Sequence, residues 1–141
     1  MHQNEYIKVV VDTNLWISFL ISNRLKKLDS LLYIENIRFL FSEELLDELQ
    51  RTILKPKLKK HFGVHALNEM LVALEPFIEI VKVKSLINEC RDQKDNFLLA
   101  LAKDGKANFL LTGDKDLLEI EKYGKTRILL ITHFLEEMKN V

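Results

Sequence analysis

Short apolar runs alternate along the chain with longer stretches whose apolar side chains recur every third or fourth position. The runs are 7–11, 38–41, 77–81, 109–111 and 127–131, rich in Val, Ile, Leu and Phe. Runs this brief fit buried strands. Helical spacing occupies 15–21, 25–36, 43–54, 66–74, 97–103 and 133–139, and a further helical turn starts at Leu117-Leu118. Strands alternating with helices predict an α/β fold: a parallel sheet with helices on both faces.

Punctuation supports these elements. Ser42 is a candidate N-cap before Glu43 and Glu44, whose charges suit the positive end of a helix dipole. Pro56 ends or kinks the helix before it. Gly105 is expected to stop the helix 97–103, and Thr132 to cap the last one. In the helix from Glu43, the side chains Leu45, Leu46, Leu49 and Ile53 fall within an arc of about 100°. Glu48 lies at the border of that buried arc, so it is the acid of this helix best aimed along the sheet edge.

The first and fourth runs end alike. Ile7–Val11 leads into Asp12-Thr-Asn14, and Phe109–Leu111 leads into Thr112-Gly-Asp114. If the two strands are parallel neighbours, Asp12 and Asp114 emerge at the same edge. In open α/β sheets the ligand crevice lies outside the carboxyl ends of the strands. Asp95 starts the helix that leads into the fourth strand and can face the same crevice.

Asp12, Glu48, Asp95 and Asp114 therefore form a candidate constellation. Each aspartate can also be read as a helix N-cap, and Glu48 as a solvated helix residue. Together they would repel one another unless a cation intervenes. Oxygen-only donors suit hard ions, Mg²⁺ or Mn²⁺. Such an ion can bind a phosphodiester oxygen and lower the pKa of a water, so the constellation suits metal-assisted phosphodiester hydrolysis. Asn14 and Thr112 could orient a carboxylate or a metal-bound water, or simply satisfy turn backbone.

Composition changes the picture little. Apolar residues make up 48% and charged residues 30%, as in ordinary globular chains. Lys plus Arg and Asp plus Glu both number 21, so no global field steers the protein toward nucleic acid. A local basic cluster, Lys55, Lys57, Lys59 and Lys60, is either a solvated face or a contact for an RNA backbone. Cys90 is alone, which suits a reducing cytoplasm. No secretory pattern and no run of membrane-spanning length are present. No P-loop occurs. His61 and His65 read as surface residues, and Trp16 as core.

At these residues the sequence resembles the PIN-domain family. The matching segments are Val10-Val-Asp-Thr-Asn14, Ser42-Glu-Glu-Leu-Leu-Asp-Glu-Leu49, Asp92-Gln-Lys-Asp-Asn96 and Thr112-Gly-Asp-Lys-Asp-Leu-Leu118. The resemblance implies one PIN-like domain over 1–141, a three-layer α/β/α sandwich with strand order 3-2-1-4-5. It implies metal-binding acids at Asp12, Glu48, Asp95 and Asp114, with Asp116 near the metal, and cleavage of single-stranded RNA by water activated on Mg²⁺ or Mn²⁺. The segments Thr112–Leu118 and Ile53-Leu-Lys-Pro-Lys-Leu58 look like a subgroup assigned as toxins of toxin–antitoxin pairs, which implies a cognate antitoxin and a homodimer. Two other readings are a binding-only RNA scaffold of the same fold and a receiver-type phosphoacceptor domain. The receiver needs an Asp after its third strand and a Lys ending its last; here Val81 is followed by Lys82-Val-Lys and Ile131 by Thr132-His133.

Overall fold

The computed structural model describes residues 5–21, 25–60, 62, 65–87 and 93–139. Cys90, His61 and the Asp92 end of the Asp92–Asn96 segment lie outside the described residues.

β1 (Ile7–Val11) runs through the middle of the sheet. It pairs in parallel with β2 (Ile37–Phe41) on one side and β4 (Phe109–Leu111) on the other. Val9, Val10 and Val11 are all fully buried. Successive side chains of a strand point to opposite faces, so burial of all three means that both faces are covered. β3 (Ile78–Ile80) continues the sheet beyond β2, and β6 (Thr126–Leu129) beyond β4, both in parallel.

One strand escapes the apolar pattern. β5 (Lys122–Tyr123) turns back through Gly124-Lys125 and pairs antiparallel with β6. The full order is β3-β2-β1-β4-β6-β5. With β5 left aside and β6 counted as the fifth strand, the parallel part has the expected order 3-2-1-4-5. Gly124 adopts φ 59, the left-handed backbone that a tight two-residue hairpin loop demands. A receiver domain would have the order 2-1-3-4-5, so the observed sheet excludes that alternative.

The helices are α1 (Thr13–Leu20), α2 (Leu25–Leu32), α3 (Glu43–Ile53), α4 (Pro56–Lys59), α5 (Ala66–Leu74), α6 (Gln93–Asp104), α7 (Lys115–Ile120) and α8 (Ile131–Lys139). α1 packs on α2, α3 and α5, while α6 packs on β1 and β2. Under α1, Trp16 is fully buried in an aromatic cluster, its ring centroid 5.8 Å from Phe19, 5.3 Å from Phe39 and 5.1 Å from Phe41. The core reading of Trp16 holds.

Several boundaries differ from expectation. Ser42 caps α3 as expected, accepting from Leu45 N at 3.1 Å. Pro56 does not merely end a helix. It occupies the first turn of α4, where its missing N–H costs nothing. Thr132 lies inside α8, whose first turn is closed instead by Phe134 N donating to the Leu130 carbonyl at 3.0 Å. α6 begins at Gln93, so Asp95 sits in its first turn and is not its cap.

α6 ends by a different device from the one the glycine suggests. Ala107 N donates to Ala102 O at 2.9 Å and Lys106 N to Lys103 O at 3.2 Å. This is a Schellman closure whose left-handed residue is Lys106, at φ 55. Gly105 is needed for room: a Cβ there would stand 2.6 Å from Leu40 Cδ1 and 3.0 Å from the Leu101 carbonyl oxygen. Gly105→Ala is expected to cost about 1–3 kcal/mol by overpacking, measured by denaturant unfolding. An unchanged midpoint would show that the core has slack there.

Asp104, the last residue of α6, pins the connection after β3 at Lys84 and Ser85. Its carboxylate accepts from Ser85 Oγ and from the backbone N–H groups of Lys84 and Ser85. These bonds, the Ser85 hydroxyl first, hold its pKa below the ordinary value. The stabilisation is complete above the usual carboxylate range and disappears as the pH falls through the lowered folded pKa. Asp104→Asn should therefore flatten the acid limb of a stability–pH curve and leave its shape at neutral pH unchanged.

Candidate active site

The register of β1 on β4 builds the site. Val9, Val10 and Val11 stand opposite Phe109, Leu110 and Leu111. The ladder runs one step further, with Asp12 N donating to Leu111 O at 3.0 Å. The next residues, Asp12 and Thr112, are thus neighbours at the carboxyl edge. Thr112 Oγ1 donates to Asp12 Oδ2 at 2.6 Å and accepts from Asp114 N at 3.0 Å. Both side chains are buried, Asp12 at 5% exposure and Thr112 at 1%.

The aspartates have the structural role that any one of them alone suggests. Asp12 N-caps α1, its Oδ1 accepting from Asn14 N at 2.6 Å and Leu15 N at 3.4 Å. Asp114 N-caps α7, its Oδ1 accepting from Asp116 N at 2.8 Å and Leu117 N at 3.2 Å. Capping fixes each carboxylate without exhausting it, since an ionised carboxylate offers about four acceptor sites. Asp114 Oδ2 accepts no hydrogen bond from the described residues.

Asp95 comes from the first turn of α6 and is 8% exposed. Glu48 projects from α3 and is half-buried. Its Oε2 faces Arg51 at 3.3 Å and its Oε1 lies 3.5 Å from Thr52 Oγ1. The Arg51 partner is largely exposed, and exposed pairs of this kind are worth about 1 kcal/mol or less. Glu48 can therefore be redirected at little cost.

All four acids line one polar cavity of about 260 Å³, with Thr13, Asn14, Thr52, Lys55, Phe97 and Leu98. Of the remaining sequence candidates, Thr112 supports the wall from below through Asp12. Asp116 is not among the lining residues, and its backbone N–H serves the Asp114 cap. Lys57, Lys59 and Lys60 do not line the cavity either, whereas Lys55 does. Thr52 is a lining residue that the sequence reading passed over. It lies one turn beyond Glu48, and helical spacing alone would have placed it on the same face. A larger depression of about 510 Å³, walled mainly by Ile7, Tyr33, Ile34, Leu135 and Met138, has one carboxylate, Glu35.

The donor set is entirely oxygen, as a hard cation requires. As they stand, no three His, Cys, Asp or Glu side chains among the described residues are arranged to grip an ion. The acids ring a space instead of closing on a point. Mg²⁺ keeps several of its waters, so a ring of oxygen donors fits a hydrated ion.

A family model described as PIN domain matches residues 8–116, a span that includes all four acids and Thr112. This chain belongs to the PIN-domain family. An uncharacterized protein of Methanocaldococcus jannaschii is 36% identical over 122 residues, covering 84% of this chain and 78% of that protein. PIN domains are generally nucleases, hydrolases of phosphodiester bonds, and typically use divalent metals. Among the described residues, no helix is long and apolar enough to cross a membrane.

Thr112→Val would keep the shape of the side chain but leave Asp12 buried without its hydroxyl donor. It is expected to destabilise the fold by about 1–3 kcal/mol, while Thr112→Ser stays close to wild type. Equal stability of the Val and Ser variants in urea unfolding would show that the hydroxyl contributes nothing.

Proposed function

We propose that this PIN-domain protein is a metal-dependent endoribonuclease that hydrolyses phosphodiester bonds of single-stranded RNA. The observation that carries the reading is the meeting of Asp12, Glu48, Asp95 and Asp114 around one polar cavity at the carboxyl edge of the sheet. In this reading Asp12, Asp95 and Asp114 hold Mg²⁺ or Mn²⁺, with Glu48 joining directly or through water and Asp116 nearby. The bound ion supplies two effects: it stabilises charge on the phosphate and lowers the pKa of a water.

The chain's own residues set the geometry. The α1 cap and Thr112 hold Asp12 in one orientation, and the α7 cap holds Asp114 through Oδ1, leaving Oδ2 without a hydrogen bond from the described residues. Glu48, half-buried and paired with the exposed Arg51, swings away from it to orient the attacking water. Asn14, on the cavity wall, is a second group able to orient a water. Phe97 and Leu98 close the apolar side of the cavity.

We further propose that the protein acts in the cytoplasm as the toxin of a toxin–antitoxin pair, as a homodimer neutralised by a cognate antitoxin. Support for this comes from the segments Thr112–Leu118 and Ile53–Leu58. The second reading is a scaffold of the same fold that binds RNA without cutting it.

One pair of measurements separates the two. Wild type is expected to cleave a single-stranded oligoribonucleotide in Mn²⁺ and to gain thermal stability from the ion, by about 2.7 kcal/mol at a hundredfold excess over its Kd. Asp114→Asn should lose both the cleavage and the stabilisation while remaining folded. RNA retained but uncut by wild type would favour the scaffold, and full cleavage by Asp114→Asn would overturn the site.

A further inference from the structure

Lys55 is the one cation among the described residues that line the acidic cavity. It does not neutralise the cavity: Lys55 forms no ion pair with any described carboxylate, although four line the same space. Its backbone is fixed by its place in the chain. Pro56 opens α4, so Lys55 is held extended at φ −61 and ψ 141 as the N-cap. Its amide donates to Thr52 O at 3.2 Å, and its carbonyl accepts from Leu58 N and Lys59 N, both at 2.9 Å. A lysine so anchored, beside acids but paired with none, offers its charge to an anion that arrives with the substrate.

Lys55 also belongs to a second depression. Lys55, Pro56, Lys57 and Leu58 wall an apolar hollow of about 560 Å³. Lys55 is thus a wall that the two cavities share. One is polar and acidic; the other is apolar and walled by two lysines, a proline and a leucine.

That pairing matches the two halves of a nucleotide. We infer that the strand leaving the acidic cavity passes its next phosphate over Lys55 and lays the adjoining base against Pro56 and Leu58. The turn 55–58 is thus a subsite for the nucleotide flanking the cut. Contact with a base face tolerates any sequence, because every base has one. The assignment rests on the acidic cavity being the cleavage site. It divides the basic cluster, since Lys59 and Lys60 line neither cavity.

The test reads binding and cleavage separately. Binding of a fluorescent single-stranded oligoribonucleotide is followed by anisotropy in Ca²⁺, which occupies oxygen sites but is larger and binds in looser geometry. Cleavage is followed in Mn²⁺. Lys55→Ala is expected to weaken binding about tenfold and to make the slope of log K against log salt less negative by about 0.7, one phosphate contact on a single strand. Lys55→Arg should restore the slope. Lys125→Ala, in the β5–β6 turn, should keep it. A scan of single abasic residues along the oligonucleotide should show a loss of about threefold or more at one position beside the cut, reduced in Pro56→Gly.

A wild-type slope in Lys55→Ala overturns the inference, as does a flat abasic scan or a slope that follows Lys125 instead. If the slope and the abasic effect both appear in a protein that cuts nothing in Mn²⁺, the strand path stands and only the nuclease reading falls.

Discussion

The alignment of two strand ends is the constraint on which the site depends. β1 and β4 stop at the same level because Val11 pairs with Leu111. The first residues past that level are a buried acid and a buried hydroxyl, joined at 2.6 Å. A slip of one residue would turn Asp12 to the opposite face and carry Val10 and Val11 with it. The hydrogen bond between Asp12 and Thr112 exists only in the observed register. The hydrophobic core and the candidate chemistry are specified by the same register.

That coupling explains how a nearly buried carboxylate is tolerated. Asp12 accepts from Asn14 N, Leu15 N and Thr112 Oγ1, and a buried charge is bearable when it is hydrogen-bonded. Asp114 repeats the arrangement at α7. The bland reading of these residues and the functional one are thus not rivals. Capping is the means by which each carboxylate is oriented before any ligand arrives. Glu48 is the contrast: its side chain has only a long contact to Thr52 Oγ1 and an exposed pair with Arg51, and remains adjustable.

Much of this was legible in the sequence, and the lapses have physical causes. Short runs dominated by apolar residues marked the parallel strands, because strands in the middle of a doubly covered sheet bury side chains on both faces. The acids were found because they follow those runs directly. β5 was missed because two residues, Lys122 and Tyr123, carry no period. The start of α6 was misplaced because 91–96 is polar throughout, so nothing apolar announces the first turn. Gly105 pointed to the right place for the wrong reason: the left-handed residue is Lys106, and the glycine answers to Leu40 across the core. The basic cluster read as one unit, yet only Lys55 reaches the acidic cavity, since facing depends on tertiary packing that spacing along α4 does not encode.

Trp16 gives the fold one last property. It is the sole tryptophan of the chain. Its amide donates to the carbonyl of Asp12 at 3.1 Å, and its buried indole N–H has no acceptor among the described residues. The fully buried ring lies one helical turn from the candidate cavity, edge-on to Phe19 and Phe39 and tilted against Phe41. Its emission should be blue-shifted and uncomplicated by any second indole. Nature has left a built-in optical gauge beneath the acids, able to register loosening of α1 without a dye or a label.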